Sequence, residues 1–157
     1  MRAGLLVLGL ALSGAAHALS GTVTHVTDGD TIWVRPDEPN RKPVKLRLVG
    51  IDAPERCQAW GAEATAALRA QVLHRHVDVP TRGVDAHGRR LGGLMLDGRD
   101  VSAWMVSQGH AWSARFHHHP GPYAQEQRTA QSRNAGLFAD PAAIEPWVFR
   151  KRHGPCP

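Results

Sequence analysis

Apolar and polar residues alternate along several short segments of the chain, and this period of two predicts β-strands. The clearest case is Val44–Leu48, in which three apolar residues occupy one face while Lys45 and Arg47 occupy the other. The residue pattern over 23–34 predicts two strands joined by a tight turn at Asp28–Asp30. We predict further strands over 76–79 and 91–96, and a hairpin turn at Asp97-Gly98.

Longer segments show the 3.6-residue period of helices. Over 59–74 the apolar positions form one stripe, made of Trp60, Ala64, Ala67, Leu68 and Val72. Asp100 is placed to cap a short helix, and Pro122 is placed to begin a last helix that runs to Asn134. The tail from Glu145, rich in proline, tryptophan and arginine, is assigned no element. About five short strands and three helices predict an α+β fold, a compact β-barrel with helices packed against it, in a single domain.

Residues 1–18 have the composition of a secretory signal peptide. Arg2 precedes an apolar run over 5–12, and small residues end at Ala18. A membrane anchor is the alternative, but a span needs about 20 apolar residues. We therefore expect cleavage after Ala18, one domain over 19–157, and export to the periplasm or the medium.

Charge and cysteine content add two expectations. The chain carries a net charge of +5, a modest excess that suits a polyanionic partner such as nucleic acid. Two cysteines, Cys57 and Cys156, remain after cleavage, and an even number in an oxidising compartment suggests a disulfide. Such a bridge would tie the C-terminus to the segment just after Glu55. Two unpaired thiols are the alternative.

Three polar motifs supply the groups that hydrolysis of a phosphodiester needs. Asp30 and Asp52 offer carboxylates to a hard divalent cation, and Ca²⁺ is well served by such oxygens together with backbone carbonyls. Glu55 suits a general base or an acid that orients the attacking water. Arg47 and Arg89 each present a planar pair of donors to phosphate oxygens. Each motif alone has a structural explanation, so it is their joint occurrence that indicates a nuclease.

The motifs together resemble the staphylococcal nuclease (thermonuclease) family, and the resemblance rests on residues 28–31 (DGDT), 47–55 (RLVGIDAPE) and 85–89 (DAHGR). Shorter matches extend it over nearly all of the expected mature domain, at 61–64 (GAEA), 97–101 (DGRDV), 108–109 (QG) and 136–138 (GLF). The resemblance implies an OB-fold, a five-stranded β-barrel with about three packed helices. It also implies a calcium-dependent enzyme that cleaves DNA and RNA with little sequence preference, on the 5′ side of the phosphate, leaving 3′-phosphate ends.

The resemblance also assigns roles to individual residues. Asp30 and Asp52 correspond to calcium ligands, and Ala53 corresponds to a position that contributes its backbone carbonyl. Arg47, Glu55 and Arg89 match the catalytic positions. The sequence alone does not exclude Mg²⁺ in place of Ca²⁺, and we expect the protein to act as a monomer.

Three substrate-binding positions depart from the family pattern. Ala86-His87 stands where the best-known member has lysine and tyrosine, and Arg115 and His117 replace tyrosines that stack on the base. Histidine and arginine can also stack on bases or pair with phosphate. We therefore expect His87, Arg115 and His117 to contact the substrate.

Two other functions are compatible with parts of the sequence. One is a non-catalytic OB-fold module that binds nucleic acid or another polyanion; the complete set of Arg47, Glu55 and Arg89 argues against it. The other is a transition-metal scavenger built on His117–His119. Consecutive residues of an extended loop cannot all face one ion, and the following Pro120-Gly121-Pro122 indicates a loop.

Overall fold

The computed structural model describes residues 18–116 and 119–157. The predicted signal peptide falls almost wholly on residues 1–17, outside the described part, and His117 also lies outside it. Of the histidine tract, only His119 is described; its backbone pairs with that of Phe116.

Five strands close into a barrel. They are β1 (Ala18–Asp28), β2 (Thr31–Pro36), β3 (Val44–Leu48), β5 (His76–Val84) and β6 (Arg90–Gly92). The long β1 pairs on one side with β2 and on the other with β5, and this last pairing completes the ring β1-β2-β3-β6-β5. All pairings in the ring are antiparallel except the one between β3 and β6. The predicted five-stranded OB barrel is therefore confirmed.

The inward faces of these strands form the core, as the alternation predicts. Fully buried side chains fill the barrel, among them Val23, Val26, Ile32, Val34, Leu46 and Leu48. Helix α1 (Gly61–Val72) covers one end of it through its buried residues Ala64, Leu68 and Val72. The stripe predicted for this helix is thus correct, but Trp60 lies just before the helix with a left-handed backbone at φ 70°.

The remaining elements lie around the barrel. Short strands β4 (Ile51–Asp52) and β9 (Trp112–Ser113) pair with each other, and β7 (Met95–Leu96) pairs with β8 (Arg99–Asp100). Asp97 and Gly98 form the predicted turn, both with positive φ, and the Asp100 carboxylate caps α2 by accepting bonds from the backbones of Ser102 and Ala103. The other helices are α2 (Val101–Ser107), α3 (Ala124–Ser132), a 3₁₀ turn (Gly136–Ala139) and α4 (Pro146–His153).

Three predictions of local structure are wrong. The strand expected over 91–96 is broken at Gly93-Leu94, and the strand expected over 76–79 continues as far as Val84, because β5 runs on there alongside β6. The tail from Glu145 contains α4, so the described residues hold four α-helices instead of about three. Pro146 at the first helical position was the available signal for α4, since proline is favoured there.

A disulfide joins Cys57 to Cys156, which decides between the two alternatives that the sequence left open. It fixes the end of the chain, just beyond α4, to the loop that precedes α1. Within the described residues no helix combines the length and apolar character that crossing a membrane requires.

Candidate active site

The turn between β1 and β2 places Asp30 inside the protein. Its side chain is buried, and its two carboxylate oxygens accept bonds from the Thr31 hydroxyl at 3.0 Å and the Ala53 backbone N–H at 2.9 Å. The Asp28 carboxylate closes the turn by accepting from the Asp30 N–H at 3.1 Å. Gly29 is required here because an added Cβ would approach the Ala53 Cβ to 2.7 Å. The turn and the 52–55 segment are therefore packed together.

Burial has a large electrostatic effect on Asp30. It raises the pKa of this carboxyl to about 6, and the neighbouring Arg47 guanidinium only partly opposes the shift. The ionised form of a carboxyl group that is buried in this way is stabilised by any cation that reaches it.

Arg47 connects the two predicted metal ligands. On β3 it faces the Asp30 turn, with Nη1 2.5 Å from Asp30 Oδ2 and Nη2 3.2 Å from Asp52 Oδ1. One guanidinium can bridge both carboxylates only if they face a common point. The two carboxylates therefore lie next to each other, one at each terminal nitrogen of Arg47.

The segment after Asp52 is held by backbone contacts on both sides. Asp52 belongs to β4, which pairs with Trp112 of β9. Glu55 is held by Gln58, which accepts a bond from the Glu55 N–H at 3.2 Å and donates its own N–H to the Glu55 carbonyl at 2.8 Å. Gly61 lies directly against that carbonyl, since an added Cβ would be 2.0 Å from it. The position of Glu55 is therefore fixed by its contacts with Gln58 and with Gly61, the first residue of α1.

The loop between β5 and β6 presents Arg89. Asp85 organises this loop by accepting backbone bonds from His87 and Arg89, both at 2.9 Å, and a bond from Arg89 Nε at 2.7 Å. Desolvation alone would raise the pKa of Asp85, but the bonds from Arg89 and His87 outweigh it and lower the pKa. Asp85 therefore stays ionised and orients the Arg89 guanidinium.

A third guanidinium comes from α4. Arg150 donates to Asp52 through both terminal nitrogens, each at 3.1 Å, and to Glu55 Oε1 at 2.7 Å. Partial burial would lower the pKa of Arg150, but its bonds to these two carboxylates outweigh it and raise the pKa above its ordinary value. The sequence reasoning missed this residue because it assigned no structure to the tail.

These groups surround one pocket of about 310 Å³, whose lining is Asp28, Asp30, Arg47, Ala53, Pro54, Glu55, His87, Arg89 and Arg150. Asp52 is not part of this lining, but its carboxylate is bonded to two residues that are, Arg47 and Arg150. The three distant motifs of the sequence therefore do meet at one place. Arg115 is not brought there; it forms an ion pair with Glu145 instead. A larger cavity of about 450 Å³ shares Pro54 with this pocket and has a mainly apolar lining.

The donor set of this pocket fits a hard cation only in part. Across residues 18–116 and 119–157, no cluster of three or more histidine, cysteine or acidic residues is arranged to hold a metal ion. Two carboxylates that share Arg47, together with the backbone carbonyl of Ala53, which directly follows Asp52, give fewer protein ligands than a closed calcium site has. Such a set suits an ion that also binds water and substrate.

Comparison with known proteins supports the same class. A sequence model of the family described as staphylococcal nuclease homologue matches residues 45–140. A protein of Escherichia coli named ParB is 42% identical over 151 residues, covering 88% of this chain and 83% of that protein. Micrococcal nuclease of Shigella flexneri is 34% identical over 142 residues, covering 83% and 80%. An uncharacterized endonuclease of Haemophilus influenzae is 34% identical over 130 residues, covering 83% and 72%.

The OB barrel gathers acids and guanidiniums in one pocket. Together with these sequence similarities, it defines a phosphodiester hydrolase of the nuclease class. The chain belongs to the staphylococcal nuclease family. The family, the fold and the enzyme class expected from the sequence are confirmed.

Proposed function

We propose that this nuclease is calcium-dependent and sugar-non-specific, and that it cleaves DNA and RNA on the 5′ side of the phosphate to leave 3′-phosphate ends. The observation that carries the proposal is that Arg47, Glu55 and Arg89 line the same pocket as Asp30. These residues match the family motifs in full, and their side chains supply the chemistry that the reaction requires.

A phosphodiester resists hydrolysis because its negative charge repels nucleophiles and its alkoxide leaves poorly. Arg47 and Arg89 neutralise the phosphate oxygens and stabilise the additional charge of the pentacoordinate transition state. Glu55 accepts a proton from the attacking water, or orients that water. Asp30, Asp52 and the Ala53 carbonyl would hold the Ca²⁺, which would supply further positive charge at the phosphate when bound.

Contacts beyond the reacting phosphate are part of the proposal. His87 lines the pocket together with Arg89, and we propose that it contacts the neighbouring nucleotide. We propose that two further residues contact nucleotides farther from the cleaved bond. They are Arg115, which pairs with Glu145 outside the pocket, and His117. We also propose that the protein works as a monomer.

The disulfide supports the proposal that the protein is exported. A disulfide between Cys57 and Cys156 is typical of an oxidising compartment, and a cleaved signal over residues 1–18 would deliver the protein to the periplasm or the medium. Exported proteins also meet far more calcium than cytosolic ones.

The test is a cleavage assay on plasmid DNA and on RNA, with calcium, with magnesium and with chelator. We expect cleavage of both nucleic acids in calcium and none in chelator. Glu55→Gln and Arg89→Ala are each expected to reduce the rate by about two to three powers of ten. Glu63→Gln and Arg128→Ala, exposed changes on α1 and α3, serve as matched controls.

Two results would contradict the proposal in different ways. Cleavage at full rate in chelator would exclude the metal assignment. Binding that weakens with salt, without any cleavage in millimolar calcium, would instead identify a non-catalytic OB-fold module.

A further inference from the structure

The C-terminal helix brings a charged residue into the pocket that the family motifs do not contain. Arg150 contacts Asp52 with two nitrogens and Glu55 with one. Asp52 Oδ1 also accepts from Arg47, so both oxygens of the Asp52 carboxylate are engaged by guanidiniums. Asp52 is one of the two carboxylates proposed to hold the cation.

The position of Arg150 is fixed by the fold on both sides of α4. Before the helix, the Ile144 carbonyl accepts a bond from Gln58 Nε2 at 2.8 Å, and Pro146 is buried. After the helix, Cys156 is bonded to Cys57. Both anchors lie in the loop that carries Glu55, so the helix and this loop form one structural unit.

A divalent cation and Arg150 compete for the same carboxylate. A calcium ligand lies about 2.3–2.6 Å from the ion, and a guanidinium bound to both oxygens of that carboxylate would stand close to a double positive charge. The two cations repel each other at such distances. Binding of the ion at Asp30 and Asp52 therefore favours an Arg150 that has left Asp52.

The released guanidinium has one acceptor that the reaction brings into the pocket. Arg150 lines the pocket together with Arg47 and Arg89, and its side chain is 41% exposed, so it can turn toward a phosphate without moving the helix. Planar guanidiniums bind phosphate oxygens by the same two-point contact that Arg150 makes with Asp52.

We propose that Arg150 is a further phosphate-binding residue, held by Asp52 until a divalent ion binds, so that metal and nucleic acid bind cooperatively. The inference rests on the proposed metal-dependent nuclease activity and adds a residue to it. Since coupling between two ligands is reciprocal, nucleic acid must also increase the affinity for the ion.

The experiment measures binding instead of turnover. Calcium binding is titrated by calorimetry, first with the protein alone and then with a short phosphorothioate oligodeoxynucleotide, which keeps the backbone charge and resists hydrolysis. The variants are Arg150→Gln, Arg150→Lys and the control Lys151→Gln, which removes one charge from the neighbouring exposed position of α4. Thermal unfolding of each variant confirms that it is folded.

Arg150→Gln is expected to bind calcium about fivefold more tightly than the parent protein when no oligonucleotide is present, because a competing ion pair of modest strength is removed. The increase in calcium affinity that the oligonucleotide produces should be largely lost in this variant. Arg150→Lys keeps the charge without the planar fork. Its calcium affinity and its response to the oligonucleotide should lie between those of the parent and those of Arg150→Gln. Lys151→Gln should match the parent in both measurements.

Weaker calcium binding by Arg150→Gln would overturn the inference and make Arg150 a residue that only positions Asp52. Unchanged coupling, or an equal effect of Lys151→Gln, would overturn it as well. If the parent protein bound no calcium at millimolar concentration, the proposed function would fail together with the inference. Cleavage of DNA that survives an overturned inference would leave the proposed function standing.

Discussion

Arg150 and Asp52 form a two-point ion pair between residues 98 positions apart in sequence, each guanidinium nitrogen 3.1 Å from one carboxylate oxygen. The pair joins the C-terminal helix to the strand end that carries the proposed metal ligand. The same helix is tied by a disulfide to the loop just beyond Glu55. The end of the chain is thus part of the site.

Reduction of the disulfide should weaken both the fold and the site. The bridge closes a loop spanning 99 residues of sequence separation, for which the chain-entropy treatment gives at most about 4–5 kcal/mol of stabilisation. We expect reductant to lower the free energy of unfolding in urea by up to that amount. It should also raise KM for single-stranded DNA, since α4 then loses its covalent link to the loop that carries Glu55.

The matched control is the double variant Cys57→Ser/Cys156→Ser, which should already show the reduced stability and should not respond to reductant. A parent protein whose KM stays constant on reduction would show that α4 keeps Arg150 in place without the bridge.

The parts of the site that were predictable from sequence are those whose geometry is local. Arg47 lies on an alternating strand and Asp52 and Glu55 follow within eight residues, so strand direction and the intervening turn bring them together. The Asp28–Asp30 turn joins them because β2 pairs with β3, a pairing that places Thr31 opposite Arg47.

Arg150 was not predictable in the same way, because an eight-residue helix is marginal alone and forms here through tertiary contacts. One signal was nevertheless present. The expected bridge from Cys156 to Cys57 already required the tail to return next to Glu55, and the arginines of the tail could have been placed near the site on that basis. The packing of Gly61 on the Glu55 carbonyl depends on exact backbone approach, which no residue pattern reveals.

Asp85 is expected to act on catalysis through Arg89. Its carboxylate holds Arg89 Nε at 2.7 Å, a contact that orients the guanidinium and engages neither terminal nitrogen. Asp85→Asn should lower kcat/KM for single-stranded DNA by about tenfold, less than the two to three powers of ten expected for Arg89→Ala.

The double variant Asp85→Asn/Arg89→Ala separates this role from a structural one. Because the two residues act as a unit, the double variant should be no slower than Arg89→Ala alone. Strictly additive losses would show that Asp85 supports the loop by a route that does not pass through Arg89.

Gly61 should be intolerant of a side chain although it begins a helix. The Cβ of an alanine would lie 2.0 Å from the Glu55 carbonyl oxygen, so the Glu55 loop must shift. Overpacking of this kind costs about 1–3 kcal/mol, which exceeds the gain in helix propensity of at most about 1 kcal/mol. Gly61→Ala should therefore unfold at lower urea concentration and cleave more slowly.

Gly93→Ala is the control for this change, because its Cβ would meet only the Pro80 ring, at 3.2 Å. It should lose little stability and retain its cleavage rate. If Gly61→Ala cleaved at the parental rate, the position of Glu55 would not depend on this contact.

His110 should make the protein less stable in mild acid. Its ring stacks on Trp60 and contacts Trp104 at a tilt, and its Nδ1 accepts a bond from Trp60 Nε1 at 3.2 Å. Burial lowers the pKa of His110 below its ordinary 6.5, so the folded state binds the proton less readily than the unfolded chain. The stability associated with neutral His110 is complete above pH 6.5 and is lost as the pH falls through the folded-state pKa.

His110→Gln keeps an acceptor for Trp60 but does not titrate. Urea unfolding from about pH 8 to about pH 5 should show the parent losing more stability than this variant. His76 supplies a control of opposite sign, since the Asp37 carboxylate, which accepts a bond from its exposed ring at 2.8 Å, raises the pKa of His76. Its contribution is present below pH 6.5 and lost as the pH rises through the folded pKa, so His76→Gln should lose stability relative to the parent only toward acid. Parallel pH profiles for the parent and His110→Gln would show that the buried imidazole does not control acid stability.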